Sequence, residues 1–195
     1  MDVSRWSDYI ESIAAGLRRM VVTDDRGAEI PAADGFARWV ALTRTTAERT
    51  GHIYIVGNGG SAAMASNIAT DAMKNACLRA VAFNDIALVT ATANDVSYDQ
   101  VFALPFERLA KPDDLLVSIS CSGNSPSIVR VLDAARARGV DAVTVSGMDA
   151  GNQSRARGTL NFYVPLSHYG RAESAHQAIL HYWIDLYVSS NPPRS

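Results

Sequence analysis

The chain has 195 residues, 48% of them hydrophobic and 19% charged, with a formal net charge of −2. That length suits one domain with its own core, and the scattered, nearly balanced charge offers nucleic acid or an anionic membrane no electrostatic handle. No apolar stretch approaches the roughly 20 residues that span a bilayer, and the opening Met1-Asp2-Val3-Ser4-Arg5 lacks the apolar run of a signal peptide, so a cytoplasmic protein is expected.

Trp6, Ile10, Ile13, Leu17 and Met20 recur at spacings of three and four residues, which predicts an amphipathic helix. The turn-forming run Asp24-Asp25-Arg26-Gly27 ends it, and a second helix is predicted over 34–48. From His52 onward short apolar runs alternate with helical stretches. Strands are predicted over 53–56, 80–83, 115–119, 142–145 and 161–164. A helix follows the first strand, and others are predicted over 97–110, 127–138, 151–157 and 171–188. Pro105 is predicted to kink or interrupt its helix, and the tail over 191–195 to fray. This alternation predicts a parallel sheet covered on both faces. Cys77 and Cys121 lack the spacing of a metal or redox motif and read as buried free thiols in a reducing compartment.

In open α/β sheets ligands bind beyond the carboxyl ends of strands, and two such ends carry unusual loops. Gly57-Asn58-Gly59-Gly60-Ser61-Ala62 follows the first strand; Ser120-Cys121-Ser122-Gly123-Asn124-Ser125 follows the third. Each leads into a helix, so backbone N–H groups and a positive helix end face the same space. Glycine admits an anion close to the backbone, and the serine hydroxyls donate to its oxygens. A phosphate is the natural guest, although Gly and Ser also simply build turns and caps. A competing pattern is the dinucleotide fingerprint, met by Gly57, Gly59 and Ala62 with Asp85 as the ribose-binding acid. It leaves the serine loop unused and places two helices ahead of the nucleotide strand, so it ranks second and no nucleotide cofactor is expected.

Gly57-Asn58-Gly59-Gly60-Ser61 with Ser122-Gly123-Asn124-Ser125 resembles the paired signature of the sugar isomerase (SIS) domain. More narrowly it resembles the phosphoheptose isomerase branch, which also includes a non-catalytic replication-initiation regulator. Thr92-Ala93-Asn94-Asp95, with Tyr98, Val101 and Phe102 after it, resembles the family's A-N-D segment, and 111–116 resembles its entry into the serine loop. The resemblance implies a three-layer α-β-α sandwich with a five-stranded parallel sheet, two N-terminal helices and a homotetramer with shared sites. It implies a sugar-phosphate ligand, most simply sedoheptulose 7-phosphate, isomerised through an enediol. The phosphate and substrate would be held by Asn58, Gly59, Gly60, Ser61, Ser120, Cys121, Ser122, Ser125 and Glu173, with Cys121 standing where Thr is usual. Asp95 either binds sugar hydroxyls or caps the helix expected near Ser97.

By the same resemblance Asp71 is the carboxylate base on one face of the enediol and His181 the acid/base on the other, with His176 as a substitute imidazole. Some members hold a divalent metal, zinc in similar proteins; the matching positions are Asp71, Glu173 and His181, with Asn67 a weak fourth. The family's His is Asn67 here, a poor zinc ligand. Its Glu is Asp71, one methylene shorter, and its Gln is Glu173, which adds a charge. These departures also admit a non-catalytic sugar-phosphate-binding regulator or adaptor. Without the resemblance, His181 among Ile179, Leu180, Trp183 and Ile184 reads as a packed histidine. His52 and His168 read as structural or exposed, though His168 lies near the last helix.

Overall fold

The computed structural model describes residues 5–191; residues 1–4 and the end of the tail expected to fray, 192–195, lie outside them. Helix α1 (Trp6–Arg18) leads into a hairpin of β1 (Val21–Asp24) and β2 (Glu29–Ile30), and then α2 (Ala32–Glu48). The alternating part follows as β3 (Ile53–Gly57), α3 (Gly60–Ala76), β4 (Ala80–Ala82), α4 (Ile86–Asp95), α5 (Ala103–Leu109) and β5 (Leu115–Ser120). It ends with α6 (Pro126–Ala137), β6 (Asp141–Ser146), β7 (Leu160–Tyr163) and α7 (Tyr169–Ser190).

The sheet order is β2-β1-β7-β6-β5-β3-β4. Its last five strands are parallel, as expected, while β1 runs antiparallel to β7 and carries β2 on its outer side. The sheet therefore has seven strands where five were expected. The two extra strands flank the run read as a plain break. There the Asp24 carboxylate accepts the N–H groups of Arg26 and Ala28 at 3.0 and 2.9 Å, and Gly27 takes φ +77° to close the turn. Buried Val22 then covers the β7 edge against Gly35 of α2, which leaves β7 no open edge to pair elsewhere.

Period-two alternation splits the core into two layers. Ile53, Ile55, Leu115, Val117 and Ile119 point toward α1, α2, α3 and α7, whose Trp39 and Trp183 stack at 4.4 Å. Tyr54, Val56 and Leu116 face α5 and α6 through Phe106, Ile128, Val131 and Leu132. The expected helix over 97–110 is a 3₁₀ turn at Tyr98–Gln100 followed by α5. Pro105 lies in the first turn of α5, where its missing N–H costs no bond, so it does not kink the helix. The expected helix over 151–157 is a 3₁₀ turn, Gln153–Ala156, started by the Asn152 side chain. Among the described residues no helix is long and apolar enough to cross a membrane.

Candidate active site

From β3 the chain crosses to β4 on one side and later returns to β5 on the other, so the carboxyl ends of β3 and β5 flank the topological switch point. The glycine and serine loops meet there. They enclose a cavity of about 330 Å³ lined by Asn58, Gly59, Gly60, Ser61, Ser120, Cys121, Ser122 and Ser125, with Tyr169 and Glu173 of α7 on the far wall. Neither Gly59 before α3 nor Ser125 before α6 caps its helix with a side chain, so the Gly60 and Ser127 N–H groups, which donate to no backbone carbonyl, remain for a bound anion. The serine loop is pre-shaped: Gly123 donates to Ser120 Oγ at 3.1 Å, and Asn124 to Ser122 Oγ at 3.3 Å. Asn58 is fixed from two sides, donating to Ser127 Oγ at 2.9 Å and accepting from the Tyr98 hydroxyl at 3.0 Å.

Glu173 reaches over the start of α3, where a Cβ on Gly60 would meet its Oε1 at 2.5 Å. Cys121 is buried, and burial first, then the Glu173 charge, pushes its thiol up to about 11, partly offset by a hydrogen bond with Ser61. Its Sγ lies 3.9 Å from Nδ1 of His176. His176 is fully buried, which holds its pKa down to about 4 despite the Ser146 carbonyl. It therefore supports the serine loop from behind as a neutral ring and does not enter the cavity.

Farther along the same two helices lies a second cluster. Nδ1 of His181 stands 3.6 Å from Oδ2 of Asp71, with both side chains partly exposed. The Gln177 amide nitrogen is 2.6 Å from Nε2 of His181 and donates to Asn67 Oδ1 at 3.0 Å. Asp71 and His181 thus stand side by side, not across a gap from one another. Glu173, turned to Gly60, does not join them, and among the described residues no three His, Cys, Asp or Glu side chains gather as metal ligands. So arranged, these residues do not fit a divalent ion.

A family model described as the SIS domain matches residues 8–147. The chain belongs to the SIS domain family. A phosphoheptose isomerase from Chlorobium phaeobacteroides is 37% identical over 161 residues, covering 75% of this chain and 70% of that one. That likeness puts this SIS chain in the phosphoheptose isomerase branch. The structure of a phosphoheptose isomerase from Neisseria gonorrhoeae superposes with a TM-score of 0.80 at 27% identity, over 94% of this chain and 95% of that one. One from Francisella tularensis superposes with a TM-score of 0.82 at 21% identity, over 97% and 99%, a likeness of fold alone.

Within this SIS fold the other expected residues fall elsewhere. Asp95 ends α4, exposed, and accepts from the Asn94 amide at 2.8 Å. It lies outside the cavity and does not cap the turn after Ser97. Asp85 caps α4, accepting the Leu88 N–H at 2.9 Å, which takes away the acid that the dinucleotide pattern needed. His168 precedes α7, exposed, and His52 stacks on Tyr54 beside Asp114. Gln177 was missed because a neutral amide carries no motif. Its position four residues from both Glu173 and His181 was the available signal, since it shares their helix face.

Proposed function

We propose that the protein is a phosphosugar aldose–ketose isomerase acting on sedoheptulose 7-phosphate or a close relative of it. The observation that supports this most is that α3 and α7 each run from the anion cavity to the Asp71–His181 pair. Ten residues separate Ser61 from Asp71 and eight separate Glu173 from His181, about 15 and 12 Å along their helices. Hydrogen-bond reach of about 3 Å at each end takes up part of both spans. An extended chain advances about 1.2 Å per bond. The eight bonds from C1 to phosphorus of a seven-carbon 7-phosphate therefore cover about 10 Å, and the four of a triose phosphate only about 5 Å. A long sugar phosphate bridges grip and pair; a triose phosphate does not. The names of the Chlorobium and Neisseria relatives agree with the longer one.

In this reading the loops grip the phosphate and place C1 and C2 beside Asp71. Its carboxylate takes the proton from C1 of the ketose, His181 gives a proton to the C2 carbonyl oxygen, and an enediol forms. His181 recovers its proton from the C1 hydroxyl, and Asp71 returns its proton to C2, which leaves the aldehyde at C1. The 3.6 Å gap between the pair is loose enough for a substrate oxygen to become the imidazole's partner.

A homotetramer in the cytoplasm is the assembly and setting that accompany this reading; exposed Trp6 and Ile10 on α1 and two free cysteines are compatible with them. Sedimentation of the purified protein measures the assembly. The function is tested by comparing turnover of sedoheptulose 7-phosphate with that of five- and three-carbon ketose phosphates. The heptulose should turn over fastest and the triose phosphate not measurably. The second reading, a sugar-phosphate-binding regulator, draws on Asn67 at the position of the family's His. Tight binding of the heptulose phosphate without turnover would select it.

A further inference from the structure

Three side chains fix the His181 ring, and their donor and acceptor roles are not interchangeable. Gln177 Nε2 carries two N–H groups: one points at Asn67 Oδ1, 3.0 Å away, and the other at Nε2 of His181, 2.6 Å away. An imidazole nitrogen that accepts an N–H carries no proton of its own. The neutral ring then has its proton on Nδ1, the nitrogen facing the Asp71 carboxylate. Turning both amides over would also satisfy them, with Nε2–H of His181 and the Asn67 amide both donating to the Gln177 oxygen. That arrangement sets the lone pair of Nδ1 against a carboxylate, and Asp71 decides against it.

We propose that Gln177 is a positioning residue that holds His181 as its Nδ1–H tautomer, and that the Asn67–Gln177 amide pair engages the Nε2 lone pair through which a metal would bind. The departure at Asn67 and the amide of Gln177 then belong together. Asn67 in place of a His removes one metal donor and supplies the acceptor that orients Gln177, and Gln177 in turn occupies the remaining imidazole nitrogen. The ring is aimed by hydrogen bonds where a metal would otherwise aim it. The consequence for turnover rests on the isomerase reading; the tautomer does not.

The test is a long-range proton–nitrogen correlation spectrum of nitrogen-15-labelled protein, chelator-treated, in mildly alkaline buffer. The chain has four histidines, and His181→Ala identifies the signal. The expected spectrum shows Nδ1 protonated and Nε2 bare, with no change on adding zinc. Gln177→Glu is nearly isosteric but presents only acceptors, so it should move the proton to Nε2. In the same variant kcat for sedoheptulose 7-phosphate should fall about tenfold or more, with KM little changed because the phosphate grip lies elsewhere. A wild-type ring protonated on Nε2, or a zinc-induced shift of the Nε2 signal, overturns the proposal whatever the activity. Wild-type protein with the expected tautomer and no turnover sinks the isomerase reading alone.

Discussion

The Glu173 carboxylate lies so close to Gly60 that a Cβ on that glycine would meet Oε1 at 2.5 Å. An acid thus sits at the positive end of α3, inside a cavity whose other lining residues are uncharged. A bound phosphate shares that space with a like charge. Glu173→Gln keeps the shape and removes the charge, so inorganic phosphate should bind about tenfold tighter by calorimetry. Unchanged or weaker binding would mean that the phosphate sits away from Glu173.

The two thiols should separate cleanly by reactivity. Cys121 is buried as expected, with burial and the Glu173 charge pushing it up to about 11, whereas Cys77, expected to be buried, is exposed at the end of α3. Thiolate is the reacting species. Mass spectrometry after brief iodoacetamide treatment at neutral pH should find one label, on Cys77, and a second only in denaturant. Two labels at similar rates would show that the serine loop opens readily.

His176 makes stability depend on pH. Its pKa falls from 6.5 to about 4 on folding because burial penalises the charged ring. Between those values the unfolded chain holds a proton that the folded chain does not, so stability is full above about pH 6.5 and declines as the pH drops toward 4. The loss reaches on the order of 3 kcal/mol at most. Urea midpoints measured across that window should fall with acid, and His176→Leu should flatten the decline. An equally steep decline in the variant would assign it to carboxylates.

The parallel strands were legible because short apolar runs ending in Gly or Ser are hard to read otherwise, and both ligand loops followed from their positions after Val56 and Ile119. The hairpin was not: four residues and two residues are too short for alternation to register, and the turn between them dominated the reading. Helix α4 escaped because its apolar residues Ile86, Ala87, Leu88, Val89, Ala91 and Ala93 run nearly all round it, so no one-sided stripe stands out. Asp85 nonetheless marked its start, and Leu88, Val89 and Ala93 pack on the core. Asp71 and His181 were found through resemblance. Their adjacency and the amides beside them depend on how α3 packs on α7, which no local pattern encodes. His176 and His181 lie on one helix five residues apart, and only packing shows that the first is sealed behind the serine loop while the second meets solvent.

Isomerisation of sedoheptulose 7-phosphate in deuterated water, by wild-type protein beside Asp71→Asn and His181→Ala, tests the central claim most directly. Enediol chemistry through Asp71, whose partly exposed carboxyl can exchange its proton before returning it, predicts some product carrying solvent deuterium at C2. It also predicts a loss of both turnover and exchange of about 100-fold or more in each variant, with phosphate binding kept. Turnover that survives both substitutions would contradict the account.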